Sequence, residues 1–161
     1  MFATPTLSPT VRAAGLDAGL LVIRLALGIV FFYHGGQKLL GLFGGGGLAG
    51  TAAFFENVGI PFPQANAVMA ASAEFFGAIA LLAGVATRFA GLTLAGVMAV
   101  AIITVKWGTF ANTAGGMEYP LTLGLIAIAL LLTGPGRLTL PSLITAIRGH
   151  RTQPAAAPAT A

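Results

Sequence analysis

Residues 65–85 read ANAVMAASAEFFGAIALLAGV, an apolar run whose only charged residue is Glu74. About twenty apolar residues at ~1.5 Å each span a bilayer's hydrocarbon core, so the run is read as a transmembrane helix. A carboxylate inside such a helix is costly to place and rarely faces lipid. On one face Glu74 is surrounded by Ala70, Gly77 and Ala78, with Gly84 further round. Small side chains let a neighbouring helix approach closely. Glu74 is therefore expected inside a helical bundle, with partners elsewhere in the chain.

The rest of the composition agrees with a membrane location. The chain has 161 residues, 57% of them hydrophobic and 7% charged, with a mean hydropathy of +0.92. A soluble domain carries about 25% charged residues. Strand-period alternation is absent, which argues against a transmembrane barrel. The basic pI reflects a few arginines and lysines at helix ends, where they set topology, so nucleic acid is not an expected partner.

The chain contains no cysteine. Disulfides, iron–sulfur ligation and a thiol or persulfide intermediate on this chain are thereby excluded. Only two histidines are present, His34 and His150, and His150 lies in the C-terminal segment. Neither a metal site nor a haem held between two histidines is expected. The first residues, MFATPTLSPTVRAAG, lack the short apolar core of a cleavable signal. The first span is expected to act as an uncleaved anchor.

Outward from Glu74, the pattern predicts an all-α membrane protein: a four-transmembrane-helix bundle with a short interfacial helix in the first outer loop. Residues 1–15 are expected to be loose, 16–140 to form the transmembrane domain, and 141–161 to hold an amphipathic segment and a disordered Pro/Ala tail. The first span, from about Leu16 to Leu40, contains Arg24, His34, Gln37 and Lys38. His34 and Lys38, four apart, share a face. Snorkelling toward opposite surfaces accounts for Arg24 and Lys38 as simply as any specific role.

The stretch GLFGGGGLAG, Gly41–Gly50, is read as a flexible connector, since no GK[ST] follows its glycines to make a phosphate loop. Thr51–Val58 is the interfacial helix, with Phe54 and Phe55 dipping into the membrane. The third span runs from Phe89 to Trp107, with Gly91, Ala95 and Ala99 as a small-residue stripe. The fourth opens at Glu118-Tyr119-Pro120 and stops by Gly134. At roughly 22 Å it is short for a span, so Glu118 is expected below the membrane surface.

Four spans put both termini on one side. Arg12, Arg88, Arg137, Arg148 and Arg151 then lie on the terminal side, against Lys38 and Lys106 on the other. The positive-inside rule places both termini in the cytoplasm. His34, Gln37, Lys38, Glu74, Lys106, Trp107 and Glu118 all fall in the outer half. Glu74 is roughly 14 Å deep and His34 about 12 Å deep, so they are expected to meet in one polar cluster. Two lysines and two glutamates would balance to zero charge. Such a cluster either clamps the helices or forms a pocket able to hydrogen-bond a carbonyl-bearing, lipid-soluble molecule or to relay a proton. The order Arg–Lys–Glu occurs twice, at 24, 38, 74 and 88, 106, 118, though with unequal Lys-to-Glu spacing.

The segments RLALGIVFFYHGGQKLLG (24–41), FFENVGIPFP (54–63), AEFFGAIALLAGVATRFAG (73–91) and GMEYPLTLGLIAIALLLTGPGRLTL (116–140) resemble the DoxX family of small bacterial membrane proteins. Their order and spacing cover most of the chain outside its ends. Leu138-Thr-Leu-Pro141 departs from the family's Ser-Leu-Asp-like continuation after the GPGR turn, so no acidic residue stands there. The resemblance implies a four-helix inner-membrane protein, some relatives being membrane subunits of quinone-linked oxidoreductases. It implies no catalytic residue. Three functions follow as expectations: a quinone-interacting subunit working with a redox partner, a small transporter or exporter component, or a non-catalytic scaffold. Membrane lipids and further copies of the chain are the other expected partners.

Overall fold

The structure, a computed structural model, describes residues 8–151. Among these residues every regular element is helical, and no strand occurs. The first seven residues and the tail from Thr152, both expected to lack structure, lie outside the described residues.

Helix α1 spans Pro9–Leu40. It begins seven residues before the expected Leu16, and the cause is local. Ser8 is the N-cap, its hydroxyl accepting the Val11 N–H at 3.4 Å, and Pro9 fills the first helical position. That position needs no N–H donor, and the ring pre-sets the helical φ. The helix stops at Gly41, whose φ of +68° a side chain would disfavour. Its 32 residues make a rod of about 48 Å.

Helix α2 (Gly47–Asn57) packs on α1 and on α3 (Pro63–Ala83). A turn through Gly84 leads into α4 (Thr87–Ala101), which continues as a π-helical turn at Ile102–Lys106. Helix α5 spans Glu118–Thr133 and α6 spans Leu140–Arg151. The helices at Pro9–Leu40, Pro63–Ala83 and Thr87–Lys106 are long and apolar enough to cross a membrane; α5 is apolar but shorter, at 16 residues.

The helices pair through their glycines. A Cβ on Gly35 of α1 would come within 2.5 Å of the Phe75 backbone nitrogen in α3. One on Gly91 of α4 would come within 2.7 Å of the Ala127 carbonyl in α5. Backbone contact this close needs glycine on one side. The pairs α1–α3 and α4–α5 join through α3–α4 contacts and a smaller α1–α5 contact. Leu27, Phe31, Leu81, Leu94 and Leu130 fill the space between them. Of the expected small stripe on α4, Gly91 is buried, whereas Ala99 is exposed.

Arg24 does not snorkel. It is buried, with 1% of its surface exposed. Its Nε donates to the Leu81 carbonyl at 3.0 Å, and one terminal nitrogen donates to the Pro135 and Leu138 carbonyls at 2.5 and 2.8 Å. The C-terminal carbonyls of α3 carry partial negative charge, so they hold a cation without a carboxylate. The guanidinium thus ties the segment after α5 onto the α1–α3 pair. Asp17 reinforces this end by accepting the Arg137 backbone N–H at 2.9 Å.

Candidate functional site

At the opposite end of the bundle, α1, α3 and the π-helical turn after α4 bring charged or polar side chains together. Glu74 is completely buried on α3. Its Oε1 receives Lys38 Nζ at 2.5 Å, with the Lys38 side chain 34% exposed. Lys38 therefore reaches inward rather than snorkelling outward. The other carboxylate oxygen, Oε2, is buried and has no hydrogen-bond partner among the described residues. An ionised carboxylate in such a place needs its cation, because the desolvation cost of either charge alone is several kcal/mol.

Two cavities share this ion pair. The larger, about 940 Å³, lies between α2, the 59–61 segment, α3 and the end of α4. Phe54, Phe55, Met69, Val97 and Val100 give it apolar walls, and Lys38, Glu74 and Lys106 stand at its polar part. That volume lies within the range of small-molecule sites. The smaller cavity, about 160 Å³, is lined by His34, Lys38, Glu74, Lys106 and Tyr119 among apolar neighbours. The ring centroids of His34 and Tyr119 are 6.4 Å apart.

The expected cluster is thus brought together in part. Lys38, Glu74 and Lys106 border both cavities, His34 borders the smaller one, and Gln37 borders the larger one while its Nε2 donates to the Phe43 carbonyl at 3.4 Å. Glu118 is not brought to this group. It is exposed, and its Oε2 accepts the Asn112 backbone N–H at 3.0 Å. The loop before α5 folds back on itself, with Met117 N–H bonded to the Thr109 carbonyl and Glu118 N–H to the Phe110 carbonyl. The carboxylate closes that loop instead of entering the bundle. Trp107 is 73% exposed and also stands outside.

The Arg–Lys–Glu repeat is kept only at its arginines. Arg88 donates to the Leu131 carbonyl near the end of α5 at 3.2 Å, much as Arg24 donates to Leu81 near the end of α3. Lys106 and Glu118 form no ion pair comparable to Lys38–Glu74. Tyr119 and Asn66 are cavity residues that the sequence pattern did not single out. Tyr119 follows Glu118 directly, so the acidic neighbour drew the attention. Asn66 sits in the first turn of α3 and donates to the Pro61 carbonyl at 2.6 Å. Among the described residues no group of three His, Asp or Glu is placed to hold a metal ion.

Residues 19–107, more than half of the chain, match the family model DoxX. A Bacillus subtilis (strain 168) protein named "Putative oxidoreductase CatD" is 35% identical over 128 residues, covering 80% of this chain and 88% of that protein. No solved structure matches. Long apolar helices closed by glycine contacts, and a family match that runs from within α1 through the π-helical turn, agree with each other: the chain is a membrane protein and belongs to the DoxX family.

Proposed function

We propose that the protein is the membrane subunit of a redox complex and that its larger cavity receives a quinone headgroup. The observation that carries this reading is the ion pair between the part-exposed Lys38 and the buried Glu74, both lining a mainly apolar cavity of about 940 Å³. An ionisable pair inside an apolar helical bundle is a functional-site candidate by default. Lys38 has hydrogens left to donate to a quinone carbonyl. Glu74 orients that ammonium, and its unpaired Oε2 offers a place for a proton. The oxidoreductase name of the Bacillus subtilis relative supports the same direction.

In this reading α1, α3, α4 and the shorter α5 all cross a bacterial inner membrane. Arginines 12, 88, 137, 148 and 151 mark the cytoplasmic side, which holds both termini. Helix α2 lies at the opposite interface. The chain has no thiol, no second histidine in an apolar helix and no nucleotide fingerprint, so electrons come from a partner protein and the subunit alone shows no turnover. The test is purification from native membranes in mild detergent, followed by solvent extraction and identification of co-purifying proteins. Extracted quinone near one per subunit, together with a redox partner, is the expected result. Absence of both overturns the reading.

A further inference from the structure

Charge at the cavity does not balance. Two ammonium groups, Lys38 and Lys106, border it, and Glu74 is the one carboxylate among its lining residues. Glu118 is turned away onto the Asn112 N–H, and Glu56 is exposed and lines neither cavity. Lys38 is neutralised by Glu74 at 2.5 Å. Lys106 has no ion-pair or hydrogen-bond partner among the described residues, although it is half-buried. We propose that Lys106 reads a negative charge on the ligand, so that this cavity selects a quinone-type head carrying one anionic oxygen over a neutral one.

This inference rests on the quinone reading and adds the charge state and the residue that recognises it. Three features support it. A neutral head would leave the half-buried Lys106 ammonium without a counter-charge in the cavity, and one anionic oxygen supplies it. The Lys106 backbone belongs to the π-helical turn at Ile102–Lys106, a wider turn than the α4 helix it ends, and such turns recur at functional sites. Glu74, whose Oε2 is buried and without a donor among the described residues, lines the same space. Its carboxylate repels an anionic oxygen and so directs it toward Lys106. An ionised hydroxyquinone and a singly deprotonated quinol both have the required chemistry.

The test uses the full chain in nanodiscs of neutral phosphatidylcholine. The probes are a 2-hydroxy-3-alkyl-1,4-naphthoquinone, ionised at neutral pH as a vinylogous acid, and its neutral 2-methoxy counterpart. The hydroxy compound should bind at least about tenfold more tightly, the scale expected of a close charge pair. Lys106→Met should remove the difference while the methoxy compound still binds, and Lys106→Arg should retain it. Equal affinity for the two compounds in the parent overturns the inference, as does a preference that survives in Lys106→Met. If neither compound binds the parent, the quinone reading itself falls.

Discussion

Replacing Arg24 by Met should loosen the end of the molecule farthest from the candidate site. Arg24 is 1% exposed and donates to three carbonyls, those of Leu81, Pro135 and Leu138. The Leu81 carbonyl keeps the Gly84 N–H at 3.1 Å when the guanidinium is gone. The Pro135 and Leu138 carbonyls lose their donor. Each charge-assisted hydrogen bond lost is worth about 1.5–3 kcal/mol, and access of water to the exposed Leu138 segment, with release of a buried cation from its desolvation penalty, offsets part of that. A net loss of roughly 3 kcal/mol follows, which for a chain of this size lowers the unfolding midpoint by roughly 6–12 °C. Arg24→Lys keeps the charge but lacks the fork that spans two segments, so it should lose about half as much. Helix loss followed by circular dichroism in detergent gives the midpoints, and amide exchange at Leu138 and Thr139 reports the tether locally. Unchanged midpoint and unchanged exchange in Arg24→Met would refute the argument.

Other substitutions probe the remaining contacts. Glu74→Ala should be destabilising by about 1–3 kcal/mol, because it empties a fully buried position and removes the counter-charge of the part-exposed Lys38, and Glu74→Gln should be milder; detergent melting compares them. Gly35→Ala and Gly91→Ala should each cost about 1–3 kcal/mol by forcing backbones apart, whereas Gly15→Ala and Gly19→Ala, with nothing within 4 Å of the added carbon, should leave stability equal or higher in the same assay. For the proposed orientation, single cysteines at Ala49 and Ala114 should react with an impermeant maleimide on intact cells, and one at Val85 should react only after permeabilisation. Labelling of Val85 from outside would reverse the topology.

Glu74 was legible from sequence because a single carboxylate in an apolar helix has few places to go. Its partner was not, since Lys38 and Lys106 stand at similar levels and only the α1–α3 contact at Gly35 brings Lys38 within reach. Glu118 misled because spacing along a chain does not reveal that the preceding loop folds back and offers it the Asn112 N–H. Arg24 was unreadable for a related reason. Its acceptors are backbone carbonyls, which every residue carries and no sequence pattern marks. The early start of α1 was written in Ser8-Pro9, a cap and first-turn pair outweighed by the proline and threonine content around it.

The central claim, that the Lys38–Glu74 pair forms part of a quinone site, is tested most directly by binding of a water-soluble quinone analogue to the purified protein. The comparison is between the parent, His34→Phe, and the double variant Lys38→Met with Glu74→Gln, which leaves no buried charge unpaired. The account predicts saturable binding by the parent and at least about tenfold weaker binding by the double variant at an unchanged melting midpoint, as expected for loss of a charged hydrogen-bond donor. His34→Phe should weaken binding less, since His34 borders only the smaller cavity. Equal affinity in all three proteins would contradict the claim.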